Sequence, residues 1–129
     1  MKAHNQGELL DKSKLASAMA INGQTVGRCI DLLCDLTLIR RLPAWIGKVG
    51  KRLIRSPKAF VRDSGLVHAL LGLNSLDEAL SHPLAGSSWE GCVVEQRINA
   101  APTAQAGFYR TSNGAELTWS WSFSAVRPG

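Results

Sequence analysis

Gln24-Thr-Val-Gly-Arg-Cys-Ile-Asp-Leu-Leu-Cys-Asp-Leu36 is followed, one residue later, by Leu38-Ile-Arg-Arg-Leu42. In the first stretch Val26, Cys29, Ile30, Leu33 and Leu36 recur at steps of three and four. That period predicts a helix with one buried stripe, and its polar face carries Gln24, Arg28 and Asp31. Just upstream, Ser13 is a reasonable N-cap for a shorter helix in which Leu15, Ala18 and Met19 share a face, and Asn22-Gly23 separates the two. Downstream, Leu38–Leu42 reads as a strand and Pro43–Lys51 as a loop holding Gly47 and Gly50. Arg52–Arg55 reads as a returning strand, extended by Lys58–Arg62. Helix, tight turn, helix and basic hairpin is the pattern of a winged helix, in which Gln24–Leu36 would be the recognition helix of a DNA-binding member.

The rest of the chain is organised around one connection. Asp63-Ser64 is expected to cap a short helix over Gly65–Leu71, ended by Gly72. Residues 73–88 read as a connection with a brief helical piece near Leu76–Leu80. Trp89–Asn99 reads as a helix with Trp89, Cys92, Val93 and Gln96 on one side, and that helix would have to bury Trp89 against the first module or a partner. After the small-residue linker Ala100–Gly107 comes a hairpin signal, Phe108-Tyr-Arg-Thr, Ser-Asn-Gly, Ala-Glu116-Leu117.

Composition narrows the classes. A chain of 129 residues that is 45% hydrophobic holds one compact domain, or a small module plus part of another. No apolar run approaches the roughly 18 to 20 residues that span a bilayer. Met1-Lys2-Ala3-His4-Asn5 does not lead into the apolar core of a secretory signal, so the expected compartment is cytoplasmic. Cys29, Cys34 and Cys92 fit no zinc spacing and are expected to be buried, reduced thiols. His4, His68 and His82 have no partner at catalytic spacing, and no phosphate-binding Gly-rich loop with Lys and Ser or Thr occurs.

Two constellations remain. Arg40, Arg41, Lys48, Lys51, Arg52, Arg55, Lys58 and Arg62 put eight cations and no acid within 23 positions. With Gln24, Thr25 and Arg28 at the start of the second helix, they are the candidate contacts to nucleic acid or to a protein partner. Those three helix residues alone are a thin set for reading bases. The second constellation is acidic: Glu90, Glu95 and Glu116.

Gly7-Glu-Leu-Leu, Thr25-Val, Ile39-Arg-Arg-Leu-Pro43, Gly50-Lys-Arg-Leu-Ile-Arg-Ser-Pro-Lys58, Arg62-Asp-Ser-Gly-Leu66, His82-Pro, Trp89-Glu-Gly and Phe108-Tyr-Arg-Thr with Gly-Ala-Glu116 follow one another in a recognisable order. The series resembles the C-terminal domain of unknown function of prokaryotic AAA-type ATPases, over about residues 7 to 117. The resemblance implies a PD-(D/E)xK nuclease-like layout after residue 89. Such a site needs two or three carboxylates around Mg²⁺ and a lysine beside the attacking water. The family pattern carries an Asp where this chain has Thr118, so the site is expected to be incomplete, and Glu90, Glu95 and Glu116 to be vestigial acids held in salt bridges or solvent. The resemblance also offers a partner for the basic surface, the acidic or nucleotide-bearing face of an ATPase module.

Beyond Leu117 the sequence changes character. Thr118-Trp-Ser-Trp-Ser122 replaces the expected alternation of apolar and acidic residues, and codons exist for it that read Asp-Leu-Val-Leu-Glu one base out of phase. A one-base frameshift just after Leu117 is therefore the expectation. It leaves an unpaired sheet edge and exposed apolar residues through which the chain could self-associate.

The expected organisation is thus α+β. It has a tail over 1–6, a winged-helix module over 7–72, a connection over 73–88, and an incomplete nuclease-like region over 89–129 with an atypical C-terminus from 118. The expected function is that of a truncated, non-catalytic fragment of an AAA-type ATPase family protein, acting as an interaction module and needing no cofactor or metal. A DNA-binding winged helix and a metal-dependent nuclease are the alternatives.

Overall fold

A computed structural model describes residues 5–45 and 56–122, with the backbone alone for 118–122. Among the described residues, five helices and two pairs of strands are mixed in order, an α+β arrangement.

The helical pair forms largely where the apolar period places it. Helix α1 spans Lys12–Met19 and α2 spans Gly23–Asp35. Asp11, not Ser13, caps α1, accepting a 3.0 Å hydrogen bond from the Lys14 amide. Asn22 caps α2 by accepting from the Thr25 amide at 2.7 Å. A carboxylate two residues ahead of Ser13 satisfies an orphan N–H and complements the positive helix end. Val26 and Ile30 of α2 bury against Ala16 of α1, with Leu10, Leu15 and Cys34 around them.

Strand β1, Ile39–Leu42, runs antiparallel to β2, Lys58–Val61, with Ile39 opposite Val61 and Leu42 opposite Lys58. The segment read as a mere extension is therefore the pairing strand, and the expected strand over Arg52–Arg55 lies outside the described residues. Residues 7–10 run along the other edge of β2: Gly7 N–H donates to Ala59 O (2.9 Å), Ala59 N–H to Glu8 O (3.1 Å) and Leu10 N–H to Pro57 O (2.8 Å).

Beyond the sheet, α3 spans Ser64–Leu70 with Asp63 as its N-cap, and Gly72, at φ 71°, turns the chain away. Helix α4 spans Leu76–Ser81, and α5 spans Ala85–Ala100, starting a turn before the expected Trp89. Its buried face is Ser88, Gly91, Val94 and Glu95, and Trp89 is 70% exposed. Trp89 does not pack against the first module, because the residues on the other face are small enough for the sheet to approach closely. A Cβ on Gly91 would stand 2.6 Å from Gln6 Nε2 and 3.1 Å from the Phe60 ring.

Gln6 explains that closeness. It is 1% exposed, and its amide donates to Val61 O (3.2 Å) and accepts from Val61 N–H (2.7 Å), so it pairs with β2 as a backbone amide would.

Strands β3, Gln105–Arg110, and β4, Glu116–Ser122, form the second antiparallel pair. Their turn is closed by Thr111 N–H donating to Ala115 O (2.9 Å), with Gly114 at φ 86°. The strand continues through Thr118–Ser122 instead of stopping at Leu117. Tyr109 faces Leu117 but Gly107 faces Ser120, so β4 spends three steps against two of β3, a bulge at Thr118–Trp119. Phe108 N–H donates to Pro43 O (3.1 Å) and Phe108 O accepts from Trp45 N–H (2.7 Å), joining β3 to the end of β1.

One cluster then unites segments on both sides of residues 73–88: Leu42, Phe60, Val94 and Phe108, with Leu9, Ala44, Ile98 and Ala106 packed against it. Gly91→Ala should therefore lower unfolding stability by about 1–3 kcal/mol in urea titrations, despite alanine's better helix propensity. Gly86→Ala, on the same helix with nothing within 4 Å of the added carbon, should be neutral or raise it by up to ~1 kcal/mol. Equal effects at the two positions would remove the steric account.

Candidate functional site

Strand alternation sets the first charged cluster. Lys58 and Phe60 are two apart on β2, so they share the face that meets Leu42 and α5. A lysine on that face must bring its charge inside, and Lys58 is only 3% exposed. Its ammonium donates to Glu90 of α5 at 3.1 Å and to Glu116 at the start of β4. It also lies 6.0 Å from the Phe60 ring centroid and 5.6 Å from that of Phe108, within reach of their π faces. Arg110 adds a contact to Glu116 at 3.5 Å.

The second cluster is one carboxylate between two guanidinium groups. Arg40 on β1 meets both oxygens of Glu95 through Nε and Nη2, and Arg62, just past β2, donates from Nε at 3.0 Å. Burial alone would raise the Glu95 pKa. The hydrogen bonds and charge of Arg40, then those of Arg62, outweigh it and hold the carboxyl below the ordinary glutamate value.

The expected contact residues thus separate. Gln24, Thr25 and Arg28 are exposed on the first half of α2. Arg41 is at the surface, paired with Asp31 of α2 at 2.8 Å. Arg40 and Lys58 spend their charges internally, which leaves little of either for an outside phosphate. Lys48, Lys51, Arg52 and Arg55 lie outside the described residues. Glu90, Glu95 and Glu116 do not converge on one point; they are divided between the two clusters. Sequence reading missed that Lys58 was the counter-ion of Glu90 and Glu116. The signal was its place two residues from Phe60 in a short strand of otherwise apolar residues.

Among the described residues, no group of three or more His, Cys, Asp and Glu side chains is placed to hold a metal ion. Cys34 and Cys92 are half-buried and Cys29 is exposed, which corrects the expectation of three buried thiols; the helical stripe needs Val26 and Ile30 inside, and Cys29 falls beside it. No helix among the described residues is long and apolar enough to cross a membrane.

These features define a small α+β domain whose charged side chains tie its sheets to a central helix. Residues 1–77 match the family described as Domain of unknown function (DUF8612), and the chain belongs to that family. It is similar to Uncharacterized protein Rv2008c of Mycobacterium tuberculosis and to Uncharacterized protein Mb2031c of Mycobacterium bovis. Identity is 38% over 117 residues in each case, covering 91% of this chain and 26% of each relative. The chain therefore spans about a quarter of the length of the curated relatives it matches. No solved structure matches it.

Lys58→Met should be costly, because it leaves Glu90 and Glu116 without the ammonium between them. A loss of about 3–5 kcal/mol is expected. Adding Glu90→Gln and Glu116→Gln should recover much of that loss, and chemical denaturation of the single and triple variants measures both.

Glu95 makes a pH prediction of definite sign. Its folded pKa is depressed, so the unfolded chain binds its proton more readily. The stabilisation is complete above the unfolded value of about 4.3 and is lost as pH falls through the lower folded value. Glu95→Gln should be less stable than the parent at neutral pH, with the gap narrowing in acid. A gap independent of pH down to acid unfolding would rule the ion pairs out as its source.

Proposed function

We propose that this chain is a non-catalytic interaction module of the kind that accompanies the ATPase module in prokaryotic AAA-type ATPases, working in the cytoplasm. In this reading residues 7–72 are a winged-helix-like unit, and the part after 89 is a nuclease-like region that has lost its chemistry. The observation that carries it is the commitment of all three candidate acids to ion pairs. Glu95 is held by Arg40 and Arg62, and Glu90 and Glu116 by Lys58. A nuclease would need such carboxylates for Mg²⁺, and an internal ammonium competes for the same lone pairs. The partner in this reading is the remaining polypeptide of the larger relatives, of which the matched part is 26%.

A second reading, DNA binding, is favoured by one observation: Gln24, Thr25 and Arg28 are exposed together at the start of α2.

Binding experiments separate the readings. The chain should associate with the Mycobacterium tuberculosis relative from which the matching quarter has been deleted, and should leave duplex DNA uncut in Mg²⁺. DNA binding as the main role predicts instead a salt-sensitive association with duplex that Lys51→Glu, Arg52→Glu and Arg55→Glu together abolish. The slope of log affinity against log salt should then fall by about one for each phosphate contact removed. Mg²⁺-dependent cleavage lost in Glu116→Gln would overturn the non-catalytic reading altogether.

A further inference from the structure

The two guanidinium groups on Glu95 outnumber the charge they share. Arg62 spends Nε on that carboxylate, and neither of its terminal nitrogens has a protein partner among the described residues. Arg62 lines an open cleft of about 440 Å³ between the strand ends, α3 and α5. Its walls add the hydroxyls of Thr37 and Ser64 and the side-chain amides of Gln96 and Asn99, none of which hydrogen-bonds another described residue. Gln96 and Asn99 follow Cys92 on one face of α5, at steps of four and three.

We propose that this cleft binds a small phosphomonoester. The donors come from several directions, which suits a tetrahedral group with three terminal oxygens better than a planar carboxylate that one arginine fork would saturate. Of the two acids at the site, Glu95 is paired with both arginines, and Asp63 is held as the N-cap of α3, one of its oxygens accepting from the Gly65 and Leu66 amides at 2.7 and 3.2 Å. The volume lies within the range of small-molecule sites and exceeds what a bare phosphate fills, and Leu38 and Leu66 supply an apolar wall for a compact organic body.

Cys92 lines the cleft and reports on its occupancy. The test is the rate of iodoacetamide alkylation of the whole chain, resolved by peptide mass spectrometry, with ribose 5-phosphate, inorganic phosphate or ribose present. Ribose 5-phosphate should slow labelling of Cys92, phosphate should do so more weakly and ribose not at all, while exposed Cys29 labels at an unchanged rate. Arg62→Gln should weaken protection by about tenfold or more, and Ser64→Ala by severalfold. If Arg62→Gln does not fold, Ser64→Ala decides alone. Absence of protection by ribose 5-phosphate, equal protection by ribose, or undiminished protection in a folded Ser64→Ala chain would overturn the proposal. Equal protection by phosphate would overturn its organic half and assign the site to the free oxyanion.

Discussion

The buried ammonium of Lys58 is the constraint around which the rest is arranged. It stands on β2, and its partners come from α5 and from the first residue of β4, so one side chain joins three elements distant in sequence. An isolated charge in that interior would be prohibitive, and a neutral lysine there would leave two carboxylates facing one another. The ammonium is therefore acceptable only with the two carboxylates beside it. The aromatic faces of Phe60 and Phe108 beside the ammonium soften its loss of water without offering a competing acceptor.

Glu95 repeats the principle further along α5, with the charges exchanged. There a carboxylate on the helix is met by cations from β1 and from the end of β2. Between the two clusters lies Val94 of the apolar core, and just before it Gly91 admits Gln6. The helix thus touches the sheet through a small residue, an apolar one and an ion pair in succession. Such a face is no continuous apolar stripe, and its charged members contribute orientation more than net stability.

That pattern marks what could be read from the chain and what could not. The break at Asn22-Gly23, the Val26–Ile30 stripe, the Asp63 cap, the short helix over Leu76–Leu80 and the Ser-Asn-Gly turn are local, and the sequence announced each through short-range rules. Trp89 was expected to bury against the first module or a partner, yet the positions facing the first module went to Ser88, Gly91 and Glu95, whose fitness depends on what faces them. Gln6 gave no local sign of acting as a strand partner. The eight cations looked like one surface because they are close in sequence; strand alternation sends Lys58 inside, and two arginines near the strand ends reach a glutamate on α5. Of the candidate site, the identity of the acids was legible and their counter-ions were not.

The last strand separates two properties that usually travel together. Backbone hydrogen bonds are indifferent to side chains, so β4 can pair with β3 through Thr118–Ser122 although the composition changes after Leu117. Facing is not indifferent: a shift of one residue exchanges every side chain between the two sides of a strand. Glu116 is fixed by Lys58 and Leu117 is paired with Tyr109, so the strand's beginning cannot move. Gly107 and Ser120 nevertheless pair one step out of phase with that beginning. The extra residue is absorbed at Thr118–Trp119, where the ladder yields at the boundary between an anchored start and a continuation of different composition.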